Sequence, residues 1–376
     1  MSTSPSTQMK ACVTGATGYV GAHIVRCLCE RGHEVNAACR DPRMAGALAS
    51  LKARRTQADL QDYCALRRAF TGADVVFHTA GFVGSRPVDW AWRVNAEAPL
   101  MVVEAAAAAG CRRVVLTSSI SAIGLPRDSR PADERTPYPE DWLGLTYPDS
   151  KHEGERVALE AAARHDIELV VVNPGYVLGA PLDLRRSQTS TRIVGNYLLG
   201  RLPAVISAPM NFVDVEDVAE GHLLAAEKGR AGERYILGGT NTTWPALIDR
   251  IAALSGVHHP VVVLPRETAR AARLRDSLGL PGLLSAEAYD LMAQDWRFSS
   301  EKAVRELGYD TRPLDQTIRL TIDWYEQLML DGAFDNVHRS PLSTLASGVR
   351  AVSKLGLLEP VKLGQRLAGR RIIAGL

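Results

Sequence analysis

Two periods of apolar residues alternate along the first half of the chain. Runs at Ala11-Cys12-Val13, from Glu34 to Cys39, ending near Gln57, from Asp74 to His78, from Arg113 to Thr117 and from Glu168 to Val172 read as short strands. Between them lie stretches of helical spacing: Val20, Ile24 and Leu28 after the first run, an alanine-rich stretch from Trp92 through Asn95 to Gly110, and a long one opening at Tyr147. Strands alternating with helices predict an α/β, doubly wound, mainly parallel sheet covered on both faces. Beyond Gly179 the pattern loosens into helix candidates from Ser190 to Leu199, Val215 to Lys228 and Trp244 to Ser255, with the run Phe212 to Val218 between them. This half predicts a smaller C-terminal α/β domain.

The turn after the first strand changes the picture. In Val13-Thr14-Gly15-Ala16-Thr17-Gly18-Tyr19-Val20-Gly21 the order is strand, glycine-rich turn, helix. Gly15 permits the chain reversal, Gly18 has no Cβ to block a pyrophosphate, and Gly21 permits close packing of helix on strand. The helix start offers free N–H groups and the positive end of its dipole to an anion. The expected sheet is therefore Rossmann-type. At the end of the second strand, facing an adenosine ribose, stand Cys39 and Arg40 rather than a carboxylate. A guanidinium there suits a 2′-phosphate, so NADP(H) is expected over NAD(H); the other reading of Arg40 is a solvated turn residue, with Asp41 capping the next helix. Asp59 is expected at the adenine amino group, and the small Ala80 and Gly81 leave room for a cofactor. His78 reads as a packed, hydrogen-bonded core histidine.

Tyr147 and Lys151 stand four apart, and so on one helix face. A phenol titrating at about 10 is a poor proton-transfer group near neutrality, and a neighbouring ammonium is expected to lower it. Composition adds boundaries. The 376 residues suffice for two domains, the formal charge is only +2, and no basic stripe interleaved with aromatics points to nucleic acid. The six cysteines all fall in the first third without a CxxC pair and read as reduced packing residues of a cytoplasmic protein; no metal site is indicated. No run is long enough to cross a membrane.

The segments TGATGYVG, ADL, HTAG, TSSISAIG, YPDSK and NPGYVLG, in that order, resemble the extended short-chain dehydrogenase/reductases of the NAD-dependent epimerase/dehydratase superfamily. The resemblance spans roughly Lys10 to Pro313, and is nearest to dihydroflavonol reductases and 3β-hydroxysteroid dehydrogenases. It implies a catalytic serine at Ser119, ahead of Ser118 and Ser121, with Tyr147 and Lys151. It implies cofactor contacts at Gly15, Thr17, Gly18, Tyr19, Val20, Gly21, Arg40, Asp59, Leu60, Thr79, Ala80, Gly81, Thr117, Tyr147, Lys151, Pro174, Gly175 and Val177. It also implies Asp217 as a scaffold residue and a homodimer through the helices around Val94 to Ala109 and Tyr147 to His165. The uncharged Ala208-Pro209-Met210-Asn211 and the apolar Phe82, Val83 and Trp90 favour a small lipophilic carbonyl or alcohol over a nucleotide-sugar. The expected function is an NADP-dependent oxidoreductase reducing a carbonyl; the alternatives are a nucleotide-sugar epimerase or dehydratase with tightly bound NAD(P), and a non-catalytic nucleotide sensor.

The expected organisation is a disordered leader (1–8), a dinucleotide-binding domain (9–178, with segments returning from about 212–240), a mainly substrate-binding domain (179–330) and a basic amphipathic helical tail (331–376). In the tail Leu342, Leu345, Val349, Val352 and Gly356 fall on one stripe, continued by Leu363, Leu367 and Arg371. Such a helix suits an anionic membrane surface, its own domain or a dimer partner.

Overall fold

The structure is a computed structural model that describes residues 8–44, 46–183, 190–278, 285–334, 341–354, 365 and 371–375. The chain divides into two units: residues 1–175, 215–238 and 298–311 form the first, and residues 176–214, 239–297 and 312–376 the second.

The first unit is built on a seven-stranded sheet, every strand parallel. In chain order its elements are β1 (Lys10–Thr14), α1 (Tyr19–Glu30), β2 (Glu34–Cys39), β3 (Arg54–Gln57), α2 (Tyr63–Phe70), β4 (Val75–His78), α3 (Val88–Trp92), α4 (Ala98–Ala108), β5 (Arg113–Thr117), α5 (Thr146–His165) and β6 (Glu168–Pro174). The seventh strand, Arg234–Leu237, is the edge beside β6, and the spatial order is β3-β2-β1-β4-β5-β6 and then that edge. Val13, Val75, Val76, Phe77, Val114, Val115, Val170 and Val171 are fully buried, as strands covered on both faces require.

Charges fasten the helix Val215–Lys228 to this sheet and to α1. The buried Arg113 guanidinium pairs with Glu168 at 2.6 Å and donates to the carbonyls of Ala225 and Ala226 at the helix C-terminus, where a cation is favoured. Arg26 meets Glu216 at 2.7 Å, and Arg31 pairs with Glu220.

The second unit holds two three-stranded sheets. One orders Thr240–Thr243, Pro209–Asp214 and Tyr176–Leu178, and the other orders Ile373–Ala374, Val261–Leu264 and Ala204–Ile206. Edge-on contacts among the rings of Tyr176, Phe212 and Trp244, with centroids 4.9–5.7 Å apart, knit the first sheet to the helix Trp244–Ser255.

Three features differ from the sequence reading. The alanine-rich stretch from Trp92 is helical but not uniformly α: a π-helical turn, Arg93–Glu97, lies between α3 and α4, ahead of Pro99, which has no N–H to continue the ladder. The unit boundaries fall elsewhere, because 176–178 and 212–214 pair with one another in the second unit, while 298–311 returns to the first. The stripe of the tail helix also differs, while the tail itself falls within the second unit. Its helix Pro341–Lys354 exposes Leu345 and buries Ala346, against the expected stripe, and its end pairs Ile373–Ala374 antiparallel to Val261–Val262. Arg371 is ion-paired with Asp249. Gly356, Leu363 and Leu367 lie outside the described residues, as does the leader apart from Gln8.

Candidate active site

Glycine at two positions of the β1–α1 turn, Gly15 and Gly21, is a matter of space. Gly15 has φ +68°, and a Cβ there would stand 2.5 Å from the Ala80 nitrogen. A Cβ on Gly21 would stand 2.3 Å from the Gly15 carbonyl oxygen and 2.5 Å from Thr79 Oγ1. Gly18 is the N-cap of α1, with no side-chain cap and no acidic residue in the first turn. An uncapped, positively polarised helix start beside a surface stripped of Cβ atoms fits a dinucleotide pyrophosphate. Thr17, Tyr19 and Val20 lie in the same turn, Tyr19 with its ring edge-on to His23. Thr79 Oγ1 donates to the Thr14 carbonyl at 2.7 Å, fixing the β4 end, with Ala80 and Gly81, against the turn.

Farther along the sheet edge, Arg40 is exposed after β2 and, among the described residues, pairs with no other side chain. Asp41 is occupied with Arg43, which holds its carboxyl below the usual range. Asp59 caps its own turn, accepting from the Gln61 nitrogen at 2.9 Å, and Leu60 packs on the core. His78 is buried, with Nδ1 2.7 Å from Thr14 Oγ1, and burial followed by the Lys151 charge pushes its pKa down to about 3.

Ser119, Tyr147 and Lys151 come together at the ends of β5 and α5. Ser119 Oγ accepts from the Ser121 nitrogen at 3.1 Å and from Ser121 Oγ at 3.0 Å. Both acceptor positions are thereby filled, which leaves the Ser119 proton to donate toward Tyr147. Lys151 Nζ donates to the Thr117 carbonyl at 3.2 Å, while Thr117 Oγ1 meets His222 Nε2 at 2.8 Å. The ammonium lies under Gly81, where a Cβ would approach it to 3.0 Å. Burial lowers the Lys151 pKa to about 8, partly opposed by Glu155.

The electrostatics depart from expectation at Tyr147. Burial pushes its phenol above 10, and the opposing influence is the Ser119 hydrogen bond, not the Lys151 charge. A phenol held up in this way stays protonated at neutral pH, the form required of a proton donor.

Pro174 ends β6 and Gly175 donates to the Leu237 carbonyl at 3.2 Å; Val177 lies in a strand of the second unit. Asp217 is buried in the first turn of the helix Val215–Lys228.

The bracing roles of four residues escaped the sequence reading. Asn95, presented by the π-helical turn, accepts from the Phe82 nitrogen and donates to the Phe82 carbonyl, both at 2.9 Å, and reaches Ser150 Oγ at 3.1 Å. Asp149 accepts from Tyr138 Oη at 2.5 Å, the Leu143 nitrogen at 3.0 Å and the Leu145 nitrogen at 2.9 Å, tying the preceding loop to the start of α5. Asn173 donates to the Ser119 carbonyl at 2.8 Å and also to Glu155. Glu155 had a signal: it follows Lys151 by one helical turn. The partners of Asn95 and Asn173 are distant in sequence, whereas those of Asp149 lie in the loop just before α5.

Comparison with known proteins identifies the family and the fold. Residues 11–238 match the NAD dependent epimerase/dehydratase family. A putative dihydroflavonol 4-reductase of Synechocystis sp. is 30% identical over 325 residues, covering 84% of this chain and 94% of the relative. Cinnamoyl-CoA reductase 2 of Arabidopsis thaliana is 32% identical over 320 residues, covering 82% and 89%. Among solved structures, a nucleoside-diphosphate-sugar epimerase from Pseudomonas aeruginosa superposes with a TM-score of 0.73 at 28% identity, covering 87% of this chain and 99% of that one. The chain thus belongs to the NAD dependent epimerase/dehydratase family, the extended short-chain dehydrogenase/reductases, which carry out oxidoreductase chemistry with NAD(P).

Proposed function

We propose that this protein is an NADP-dependent reductase of a small lipophilic carbonyl compound, running in reverse as an alcohol dehydrogenase. The observation that carries the reading is the convergence of a donating Ser119, a protonated Tyr147 and a buried Lys151 at the strand ends that also hold the glycine turn. The dinucleotide, when bound, supplies the hydride that adds to the carbonyl carbon. The electron pair of the carbonyl bond moves to oxygen, where Ser119 donates a hydrogen bond and Tyr147 delivers its phenolic proton, giving the alcohol. The buried Lys151 ammonium then offsets the negative charge left on the phenol.

The exposed Arg40 supports NADP over NAD. The names of the two reductase relatives and the exposed Val83 beyond β4 support a carbonyl of lipophilic character. The structural likeness to a nucleoside-diphosphate-sugar epimerase keeps a second reading, epimerisation with transient use of the cofactor. A panel of lipophilic ketones, aldehydes and alcohols, scanned for NADPH oxidation or NADP reduction with NAD(H) alongside, separates the two, since an epimerase leaves the NADPH absorbance unchanged over many turnovers. Tyr147→Phe is expected to bind NADPH as the parent does and to lose about 10²–10⁴-fold in turnover; a variant that keeps its turnover overturns the assignment. A homodimer through α4 and α5 is tested by sedimentation velocity.

A further inference from the structure

Glu155 is a carboxylate that the proposed reaction does not use, yet it is only 1% exposed. It stands on α5 one helical turn after Lys151, on the same face. One oxygen accepts from Asn173 Nδ2, and the other lies 3.1 Å from Arg234 Nη2 on the edge strand. Asn173 Nδ2 also donates to the Ser119 carbonyl at 2.8 Å. That amide nitrogen therefore bridges two acceptors, while Asn173 Oδ1 is buried without a hydrogen-bond partner among the described residues. Turning the amide over would set its oxygen against a carboxylate and a carbonyl, so the acceptor oxygens of Glu155 and Ser119 together decide which way Asn173 faces. Lys151 and Glu155 are both buried, one helical turn apart on α5, where a counter-charge is felt more strongly than in water.

We infer that Glu155 is a positioning residue that holds the Ser119 segment in place through Asn173 and keeps Lys151 cationic. The inference rests on the reductase reading for its kinetic consequences only. Other groups around Lys151 do not substitute for it. His78 on β4 and His222 on the helix Val215–Lys228 are both pushed far down by burial, to about 3 and about 4, and carry no charge near pH 8. Tyr147, on the same helix, is neutral there, and Arg234, paired with Glu155, is a cation and so no counter-charge for Lys151. Burial drives the Lys151 pKa down and Glu155 opposes that shift.

Two variants separate the two roles. Glu155→Gln keeps an oxygen for Asn173 but removes the charge; Asn173→Ala keeps the charge but removes the brace. In protein without dinucleotide, the Lys151 midpoint followed by NMR of ε-¹³C-labelled lysine is expected to fall by about half a pH unit or more in Glu155→Gln and to stay put in Asn173→Ala. With the active ketone, the alkaline limb of kcat/KM should move down by a matching amount in Glu155→Gln. Asn173→Ala should lose about ten- to a hundredfold in kcat with its limb unmoved and its NADPH affinity, from fluorescence quenching, within about threefold of the parent. If Glu155→Gln does not fold, Glu155→Asp replaces it: the charge is kept at shorter reach, so the limb should stay and kcat should fall. An unmoved Lys151 midpoint in a folded Glu155→Gln protein, or wild-type kcat in Asn173→Ala, overturns the inference. If no carbonyl compound is turned over, the reductase reading falls while the lysine titration still decides the role of Glu155 toward Lys151.

Discussion

Gly18 and Gly21 are three residues apart in one turn, yet alanine should do opposite things at the two. At Gly21 the new methyl would stand 2.3 Å from the Gly15 carbonyl oxygen and 2.5 Å from Thr79 Oγ1, against an ordinary contact of 3.4 Å or more, so α1 must move off the turn by roughly 1 Å. Overpacking of that kind costs about 3 kcal/mol at the upper end, and the better helix propensity of alanine returns about 1. The net loss of about 2 kcal/mol corresponds to a fall in Tm of roughly 4–8 °C for a unit of this size. At Gly18 the methyl meets only the Gly15 oxygen, at 3.0 Å, a contact relieved by a shift of a few tenths of an ångström, with φ −79°, which alanine adopts freely. The protein should melt within about 2 °C of the parent, but the methyl stands where the pyrophosphate must approach α1. NADPH affinity should fall about ten- to a hundredfold, or about 1.4–2.8 kcal/mol. Thermal unfolding and NADPH titration by fluorescence, run on both variants, test the pair. A Gly18→Ala protein that binds NADPH within about threefold of the parent would refute the placement of the dinucleotide at this turn.

The remaining predictions concern charge. Arg40→Ala should cost about tenfold in the NADP over NAD ratio, roughly 1.4 kcal/mol; a prior preference for NAD, or an unchanged ratio, refutes the role of Arg40. Asp149→Asn replaces one of two oxygens that together accept three hydrogen bonds, so about 1–3 kcal/mol and roughly 2–12 °C in Tm should be lost, and an unchanged Tm refutes that anchoring. His78 and His222 are held neutral in the fold with pKa values of about 3 and about 4, while the unfolded chain takes up protons below about 6.5. Each should therefore remove about 1.4 kcal/mol of stability per pH unit as pH falls from 6.5 toward 4, and His222→Gln should lessen the slope by one proton in urea unfolding; an identical slope counts against it.

Local rules make the sheet readable. Glu34–Cys39 and Arg113–Thr117 are strands with the bounds their apolar runs suggest, and Val215–Lys228 and Trp244–Ser255 are helices with theirs, because burial imposes a period that neighbours in sequence reveal. The edge strand Arg234–Leu237 carries no comparable signature; four residues beside loops give too short a pattern. The division into units differs from the sequence expectation because strand partners such as Val177 and Val213 are set by tertiary register rather than local composition. In the site, the glycine turn and the Tyr147–Lys151 spacing are sequence signals. The Ser121 hydroxyl that frees the Ser119 proton, and the burial that raises Tyr147, exist only once the chain is folded.

The interleaving of the two units bears on how the protein is made. The nucleotide-binding sheet takes its last strand from 234–237 and a further segment from 298–311, so everything before Gly175 leaves the ribosome with one sheet edge unpaired. At about 5–20 residues per second, that edge waits several seconds for its partner strand and on the order of ten for the whole unit. During this interval β6 is an open template for pairing with other nascent chains. Expression at low temperature, with chaperones that shield extended segments, should matter more for this protein than for one whose domains are contiguous in sequence.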